Sequence, residues 1–213
     1  MPKEIAVQRP RPSLQFELPL WRQGLGLIAG IDEVGRGALA GPVYAAAVIL
    51  PARKSILREL DGVRDSKQMR RAEREAWAPI IQEKALGFAI GKASCREIDR
   101  IGIAPATRLA AKRAVLGLGI PPQHLLVDYL RLQELDLPQS PIVGGDALCL
   151  SIAAASVVAK VARDAELCKL DRRFPLYGFA AHKGYATEAH RSAIEQYGPC
   201  AQHRRSFAPV RLQ

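Results

Sequence analysis

The chain has 213 residues, 48% of them hydrophobic and 24% charged, which is typical of a soluble globular protein with one full core. Lysine and arginine outnumber acidic residues by 31 to 21, and the formal net charge of +10 favours a polyanionic partner such as nucleic acid. The four cysteines form no CxxC pair, and no apolar run suits a signal peptide or a membrane span. We therefore expect a cytoplasmic protein with free thiols.

The first half of the chain predicts an arm followed by a β-meander. Residues 1–24 contain four prolines and no sustained hydrophobic period, so we expect a poorly ordered arm. The apolar segments Leu25–Glu33 and Val43–Leu50 are predicted strands joined by a glycine-rich turn. Gln68–Lys84 has the pattern of a basic amphipathic helix, and Ala85–Ala93 is a predicted third strand.

The second half alternates helices and strands. Ile103–Leu118 has helical spacing and ends at a glycine followed by two prolines, which is a helix stop signal. Leu125–Asp128 is a predicted short buried strand, and a loop rich in proline and glycine leads from it to Asp146. Ser151–Leu170 and Thr187–Tyr197 are predicted helices, the second with its threonine as N-cap. This order of elements predicts an α/β sheet of mixed direction covered by helices.

Carboxylates stand at the ends of the predicted strands or in the loop before a helix. Asp32 and Glu33 end the first strand, Asp128 ends a later one, and Asp146 precedes the long helix. Because ligand sites in α/β sheets collect at strand ends, the four side chains can converge. Carboxylate oxygens suit Mg²⁺ or Mn²⁺, and two such ions can activate water for phosphodiester cleavage. The alternative for each motif is a polar turn that closes a strand.

The adjacent pair Asp32 and Glu33 poses a geometric problem. Successive residues of a regular strand point to opposite faces of the sheet, so both carboxylates cannot face one ion. The strand has to end, bulge or twist at this pair, and Gly35 and Gly37 give the backbone that freedom. We therefore expect the chain to bend there.

Other chemistries fit the motifs less well. Residues 35–41 superficially resemble a dinucleotide-binding loop, but a β-rich segment follows where that motif needs a helix, and two carboxylates precede it. Ser151 or Ser156 with His182 would make a hydrolase pair, but the chain has no GxSxG elbow. The C-terminal third concentrates basic and aromatic residues, which suit phosphates and sugars but also describe a solvated helix face with ordinary core aromatics.

Seven segments together match one known family in order. They are AGIDEVGRGALAGPV (29–43), DSK (65–67), LLVD (125–128), GGD (144–146), SIAAASVVAKVARD (151–164), YGFAAHKGYAT (177–187) and GPCAQHRRSFAPV (198–210). These segments resemble bacterial ribonuclease HII, the type 2 ribonuclease H. The resemblance implies a ribonuclease H-like α/β fold, with a five-stranded mixed sheet flanked by helices and a helical C-terminal part. It implies a catalytic domain over residues 25–213.

The resemblance also implies an activity. The family cleaves RNA in RNA–DNA hybrids with Mg²⁺ or Mn²⁺ and nicks 5′ of single ribonucleotides embedded in duplex DNA, leaving 3′-hydroxyl and 5′-phosphate ends. The implied cellular tasks are the removal of ribonucleotides and RNA primers in DNA replication and repair, and we expect a monomer. The alternative is a non-catalytic module that binds RNA–DNA hybrids, which the net charge of +10 would equally serve.

The resemblance assigns individual residues by position. The implied catalytic and metal ligands are Asp32, Glu33, Asp128 and Asp146. The implied substrate contacts are Gly35, Arg36, Gly37, Tyr185, Lys67, Lys160, Arg163 and Lys183. Among these contacts the Gly-Arg-Gly element would read the 2′-hydroxyl largely through backbone groups, the tyrosine would stack on the neighbouring deoxyribose, and the four basic residues would contact phosphates.

The chain departs from the family pattern at two places. Tyr129 stands directly after the third acid, where the family usually has glycine, which puts the local loop conformation in question. The proline-rich arm before Leu25 lies outside the resemblance, and we predict no role for it.

Overall fold

A computed structural model describes residues 10–212 of the chain. Within this range a five-stranded sheet has the order β3-β2-β1-β4-β5. Its strands are β1 (Ile28–Val34), β2 (Val43–Ile49), β3 (Gly87–Ala93), β4 (His124–Asp128) and β5 (Gln139–Ile142). β2 is antiparallel to β1 and β3, whereas β4 is parallel to β1 and β5. The predicted β-meander and the mixed sheet are confirmed, and β5 lies in the segment that the sequence pattern predicted as loop.

Helices cover the sheet on both faces. In residues 10–212 they are α1 (Glu17–Arg22), α2 (Ile56–Glu59), α3 (Arg71–Lys84), α4 (Cys95–Ile101), α5 (Ile103–Leu116), α6 (Gly145–Leu148), α7 (Leu150–Arg173), α8 (Phe179–His182) and α9 (Glu188–Tyr197). The long helices α3, α5, α7 and α9 confirm the predictions to within a few residues, and Thr187 caps α9 by accepting from the His190 N–H. None of the described helices has the length and apolar character needed to cross a membrane.

Small residues let the helices pack directly on the sheet. α7 crosses one face over β1 and β2, and α5 crosses the other over β2 and β3. A Cβ at Gly30 of β1 would overlap the backbone of Ser151 in α7, and a Cβ at Gly91 of β3 would overlap the Ala110 carbonyl in α5. The alanines of α7 lie in one buried apolar cluster with side chains of β2. Those of α5 lie in a second cluster with side chains of β1 and β2. Both helices therefore lie close to the sheet, and this close packing restricts movement of the strands.

The N-terminal segment is more ordered than its composition indicates. Residues 1–9 of the predicted arm lie outside the described residues. Beyond them, Ser13 pairs with Cys149 in a β-bridge, Leu14 is buried, and α1 follows. The carboxylate of Glu17, also buried, accepts hydrogen bonds from the backbone N–H and the hydroxyl of Ser151, both at 2.9 Å. The prediction of a poorly ordered arm is wrong for this part, because one buried carboxylate ties α1 to the start of α7.

Candidate active site

The four acids lie near one another at one edge of the sheet, close enough for the charges of the other three to act on Asp32. β1 and β4 are parallel neighbours, so their carboxyl ends lie side by side, with Asp32 on one and Asp128 on the other. Asp146 lies in the first turn of α6, and the N–H of Gly145 before it donates to Asp128 Oδ1 at 2.7 Å. This bond joins the end of β4 to the start of α6. The topology thus gathers carboxylates that are far apart in sequence.

The pair Asp32 and Glu33 lies in a regular strand. The antiparallel register with β2 continues through both residues to Val34 without a bulge, and the chain turns only at Gly35, where φ is +90°. The predicted bend at the pair is therefore wrong. Asp32 shares with Gly30 the face of β1 that lies against α7. Strand alternation starts Glu33 on the opposite face, but its carboxylate stays close enough for the charge of Asp128 to act on it.

Burial and mutual repulsion make the carboxylates costly when charged. Asp32 is only 5% exposed, and burial, followed by the charge of Glu33, raises its pKa well above the usual value. The charges of Asp128 and Asp146 add smaller contributions in the same direction. Burial is also the main cause that raises the pKa of Glu33 and of Asp128. Carboxylates in such a place favour a nearby cation.

Protein cations already face two of the acids. Lys67 Nζ lies 3.1 Å from Asp146 Oδ2, and Arg36 Nη1 lies 3.3 Å from Glu33 Oε1. Within residues 10–212, no three His, Cys, Asp or Glu side chains stand so that they could hold a metal ion without rearrangement. The donor chemistry nevertheless fits a hard divalent cation, because the donors are carboxylate oxygens that repel one another and attract an ammonium ion as a stand-in. Binding would require the acids to close in and Lys67 to swing away.

A cleft of about 570 Å³ opens beside Asp32 and Glu33. It brings most of the predicted substrate contacts together, namely Gly35, Arg36, Gly37, Lys67, Lys160 and Tyr185. The ring of Tyr185 lies under two cations, with Lys160 Nζ 5.9 Å and Arg163 Cζ 5.4 Å from its centroid. The cleft is therefore acidic at the strand end and basic and aromatic around it, which suits a phosphodiester backbone.

Two of the predicted phosphate contacts are wrong. The guanidinium of Arg163 is fully buried and donates to three backbone carbonyls, those of Ala40, Pro42 and Lys183. Lys183 is also buried, and its ammonium donates to the Ala180 carbonyl at 2.7 Å. A basic residue in a motif does not reveal its direction, and here both side chains turn inward to hold loops instead of reaching the cleft.

Arg204 is an important residue that the sequence reasoning missed. It is fully buried, and its guanidinium donates to the carbonyls of Gly35 and Arg36, both at 2.7 Å, and of Gly41. Burial lowers the pKa of Arg204 to about 10, so it stays protonated at neutral pH. Its only signal in the sequence is the HRRSF run, which marks basic residues without showing which one faces the glycine-rich turn.

A chain of imidazoles supports the loop that carries Tyr185. Cys200 N–H donates to His203 Nδ1 at 2.9 Å, so the His203 proton lies on Nε2, which is 3.1 Å from His190 Nε2. His190 in turn donates through Nδ1 to the Tyr185 carbonyl at 2.9 Å. Burial lowers the pKa of both imidazoles to about 4, which keeps them neutral and the hydrogen-bond direction fixed at pH 7.

Comparison with known proteins identifies the family of the chain. The family model described as Ribonuclease HII matches residues 29–210. The ribonuclease HII of Synechococcus sp. (strain JA-3-3Ab) is 52% identical over 201 residues, which cover 94% of this chain and 90% of that protein. The ribonuclease HII of Acidovorax sp. (strain JS42) is 52% identical over 202 residues, 95% of each chain.

Solved structures agree with the fold. The crystal structure of ribonuclease H2 from Pyrococcus horikoshii OT3 superimposes with a TM-score of 0.73 at 26% identity, covering 87% of this chain and 95% of that one. The predicted ribonuclease H-like fold is thereby confirmed. From the match over residues 29–210 and the identity of its relatives, the chain belongs to the ribonuclease HII family.

Proposed function

We propose that the protein, acting as a monomer, nicks duplex DNA on the 5′ side of single embedded ribonucleotides, as well as cutting RNA in longer hybrids. Its family membership makes it a ribonuclease H, an endonuclease for the RNA of RNA–DNA hybrids. The observation that carries the finer proposal is the shared cleft, in which Asp32 and Glu33 adjoin the Gly-Arg-Gly turn and Tyr185. The products would be 3′-hydroxyl and 5′-phosphate ends, as expected in ribonucleotide and RNA primer removal.

The acids are the proposed ligands of Mg²⁺ or Mn²⁺. Asp32, Glu33, Asp128 and Asp146 would hold a pair of divalent ions, which when bound lower the pKa of water and stabilise charge on the leaving oxygen. The chain itself orients the donors. The Gly145 N–H holds the Asp128 carboxylate, and the regular strand β1 sets the backbone of Asp32 and Glu33. Lys67, whose side chain is 77% exposed, is free to leave Asp146 for a substrate phosphate.

The remaining contacts would select the substrate. Backbone groups of Gly35, Arg36 and Gly37 line the cleft where a ribose 2′-hydroxyl would lie, and a deoxyribose would leave them unpaired. Tyr185 presents its ring at the same cleft for stacking on the adjacent deoxyribose. Lys160 also lines the cleft, although its ammonium now pairs with Asp164 at 2.8 Å.

The decisive test uses a labelled DNA duplex that contains one ribonucleotide. We expect the protein to nick it in Mg²⁺ or Mn²⁺ but not in EDTA, and to leave the all-DNA duplex intact. Asp146→Asn should abolish the nick while binding persists. Asp61→Asn is the control, because Asp61 is an exposed acid paired only loosely with Arg11. Binding by the wild type without any nick would favour the non-catalytic alternative.

Tyr185→Ala tests the stacking role separately. We expect it to lose preference for the single-ribonucleotide duplex over the long hybrid by about tenfold, the value of one base or sugar stacking contact. The long hybrid should still be bound. An unchanged preference between the two substrates would refute the role of Tyr185.

A further inference from the structure

The glycine-rich turn presents two peptide groups that are bound on one side only. The carbonyls of Gly35 and Arg36 accept from Arg204 Nη2 and Nη1, each at 2.7 Å. The N–H groups of the same two peptide units belong to Arg36 and Gly37, and in the described part of the chain neither donates to a protein acceptor. The space at Gly37 is open, since a Cβ there would meet no atom within 4 Å. Two backbone donors are therefore available in the cleft.

One guanidinium controls the direction of both donors. In a trans peptide the carbonyl and the N–H point in opposite directions, so fixing the oxygen also fixes the hydrogen. The planar fork of Arg204 holds two oxygens at once, which sets the peptides relative to each other. A cation on the carbonyl also polarises the peptide, which makes its N–H a stronger donor.

The surroundings keep the charge of Arg204 directed at this turn. Among residues 10–212, no salt bridge involves its guanidinium, which donates to backbone carbonyls and otherwise lies 5.2 Å from the centroid of the Phe207 ring. On the other side of the turn Arg163 packs so closely that any Cβ at Gly35 would overlap its guanidinium. Two buried guanidinium groups thus enclose a turn whose free N–H groups face outward.

We propose that Arg204 is a positioning residue that aligns and polarises the N–H groups of Arg36 and Gly37 into a two-donor site for the ribose 2′-hydroxyl oxygen. This inference rests on the proposed function, in which the turn meets the ribonucleotide. A deoxyribose offers no oxygen there, and both donors would remain unpaired in a dehydrated contact. Selectivity for the ribonucleotide therefore depends on a side chain that never touches the substrate.

The test is the ratio of two affinities in EDTA, where no cleavage occurs. The duplex with one ribonucleotide is compared with the all-DNA duplex of the same sequence, for the wild type and Arg204→Lys. A lysine keeps the buried charge but cannot hold both carbonyls in one plane. We expect the wild type to prefer the ribonucleotide duplex and Arg204→Lys to reduce this preference about tenfold, with affinity for the all-DNA duplex unchanged.

Two controls separate positioning from general destabilisation. Arg113→Lys removes an arginine that donates to the Lys92 carbonyl at 2.8 Å outside the cleft, and it should leave the ratio unchanged. Ile81→Val, in the core, gives a destabilised variant for comparison. Suppose that the wild type nicks the ribonucleotide duplex and that Arg204→Lys still prefers this duplex to the all-DNA duplex as strongly as the wild type does. That result overturns this inference and leaves the proposed function standing. A wild type that, in Mg²⁺ or Mn²⁺, cuts neither the ribonucleotide duplex nor a long RNA–DNA hybrid refutes the proposed function instead.

A measurement on the wild type keeps the inference testable if Arg204→Lys does not fold. In ¹⁵N–¹H NMR spectra, the ribonucleotide duplex should move the amide protons of Arg36 and Gly37 downfield, and the all-DNA duplex should not. Amide protons that respond equally to both duplexes would overturn the inference, because the two donors would then not distinguish a ribose from a deoxyribose.

Discussion

Tyr129 occupies a backbone conformation that suits glycine. Its φ is +57°, in the left-handed region, where a residue with a Cβ is disfavoured by roughly 1–2 kcal/mol. The residue is 65% exposed, so core packing does not offset this strain. The sequence departs here from the family's usual glycine. The loop after Asp128 nevertheless keeps the backbone conformation that glycine favours, so Tyr129 is strained.

Replacing this residue should stabilise the protein. We expect Tyr129→Gly to raise the free energy of unfolding by about 0.5–1 kcal/mol, because relief of the strain outweighs the greater freedom of glycine in the unfolded chain. Urea denaturation measures the change. Tyr129→Ala is the matched control, since it removes the ring but keeps the Cβ, and should bring no such gain. A less stable glycine variant would show that the ring contributes to packing.

Asp32 should be the acid whose charge costs most stability. In EDTA at pH 8, Asp32→Asn should raise the unfolding free energy by about 1–2 kcal/mol, because burial and Glu33 raise the pKa of Asp32. Protonation relieves the wild type as pH falls through that raised pKa, so the advantage of the variant should shrink on acidification. Asp146→Asn should gain less, since it also loses Lys67. If thermal melts at pH 8 showed that Asp32→Asn is less stable than the wild type, this result would contradict the proposed cost of a charged Asp32.

Individual site residues were predictable where the hydrophobic pattern located them. The acids at the ends of apolar runs could be placed because parallel strands end at a common edge. The orientations of Arg163, Lys183 and Arg204 could not, because a charge in a motif carries no direction and the carbonyls that receive these side chains come from distant segments. Only the folded chain brings those acceptors together.

At the scale of elements, α1 is anchored through Glu17. Its Oε1 accepts from the N–H and hydroxyl of Ser151 and from the Cys149 thiol, so it serves the first turn of α7. We expect Glu17→Ala to lower the unfolding free energy by about 2 kcal/mol, because buried donors lose their acceptor. Gln15→Ala, which removes only a long exposed bond, is the control. Equal unfolding midpoints in guanidinium for the two variants would show that the hydrogen bonds of Glu17 do not stabilise the fold.

Long elements were predictable and short ones were not. The helices α5 and α7 repeat their hydrophobic pattern over several turns, so the period identifies them. The helix α4 has only seven residues and begins with a capping box, and α6 is a single turn. The strand β5 contains Pro141, which argues against a strand in general but is tolerated at a sheet edge, where β5 lies. Such elements depend on their neighbours rather than on their own sequence.

For the whole molecule, the two buried imidazoles predict loss of stability in acid. His190 and His203 have pKa values of about 4 when folded, whereas an exposed histidine titrates near 6.5. Between these pH values the unfolded chain binds protons that the folded chain does not, so unfolding becomes easier as pH falls. The loss should be about 2 kcal/mol per imidazole at pH 5 and approach roughly 3 kcal/mol only below pH 4.

Denaturation at pH 7 and pH 5 checks this expectation. The Asp32→Asn variant is the suitable background in EDTA, because the buried carboxylate of the wild type responds to acid in the opposite direction. NMR titration of the imidazole signals gives the pKa values directly. A midpoint near 6.5 for His190 or His203 would contradict the predicted cause.

The single helix α7 also limits how the sequence can change over evolution. Ser151 hydrogen-bonds Glu17 of α1, Ser156 and Lys160 line the cleft, and Arg163 donates to the carbonyl of Pro42 after the glycine-rich turn. All four side chains come from this one helix. Inserting one residue would turn everything beyond it by about 100° and advance it by about 1.5 Å. This stretch can exchange side chains but cannot change length. Descendants of this sequence can grow or shorten in loops such as that between β4 and β5.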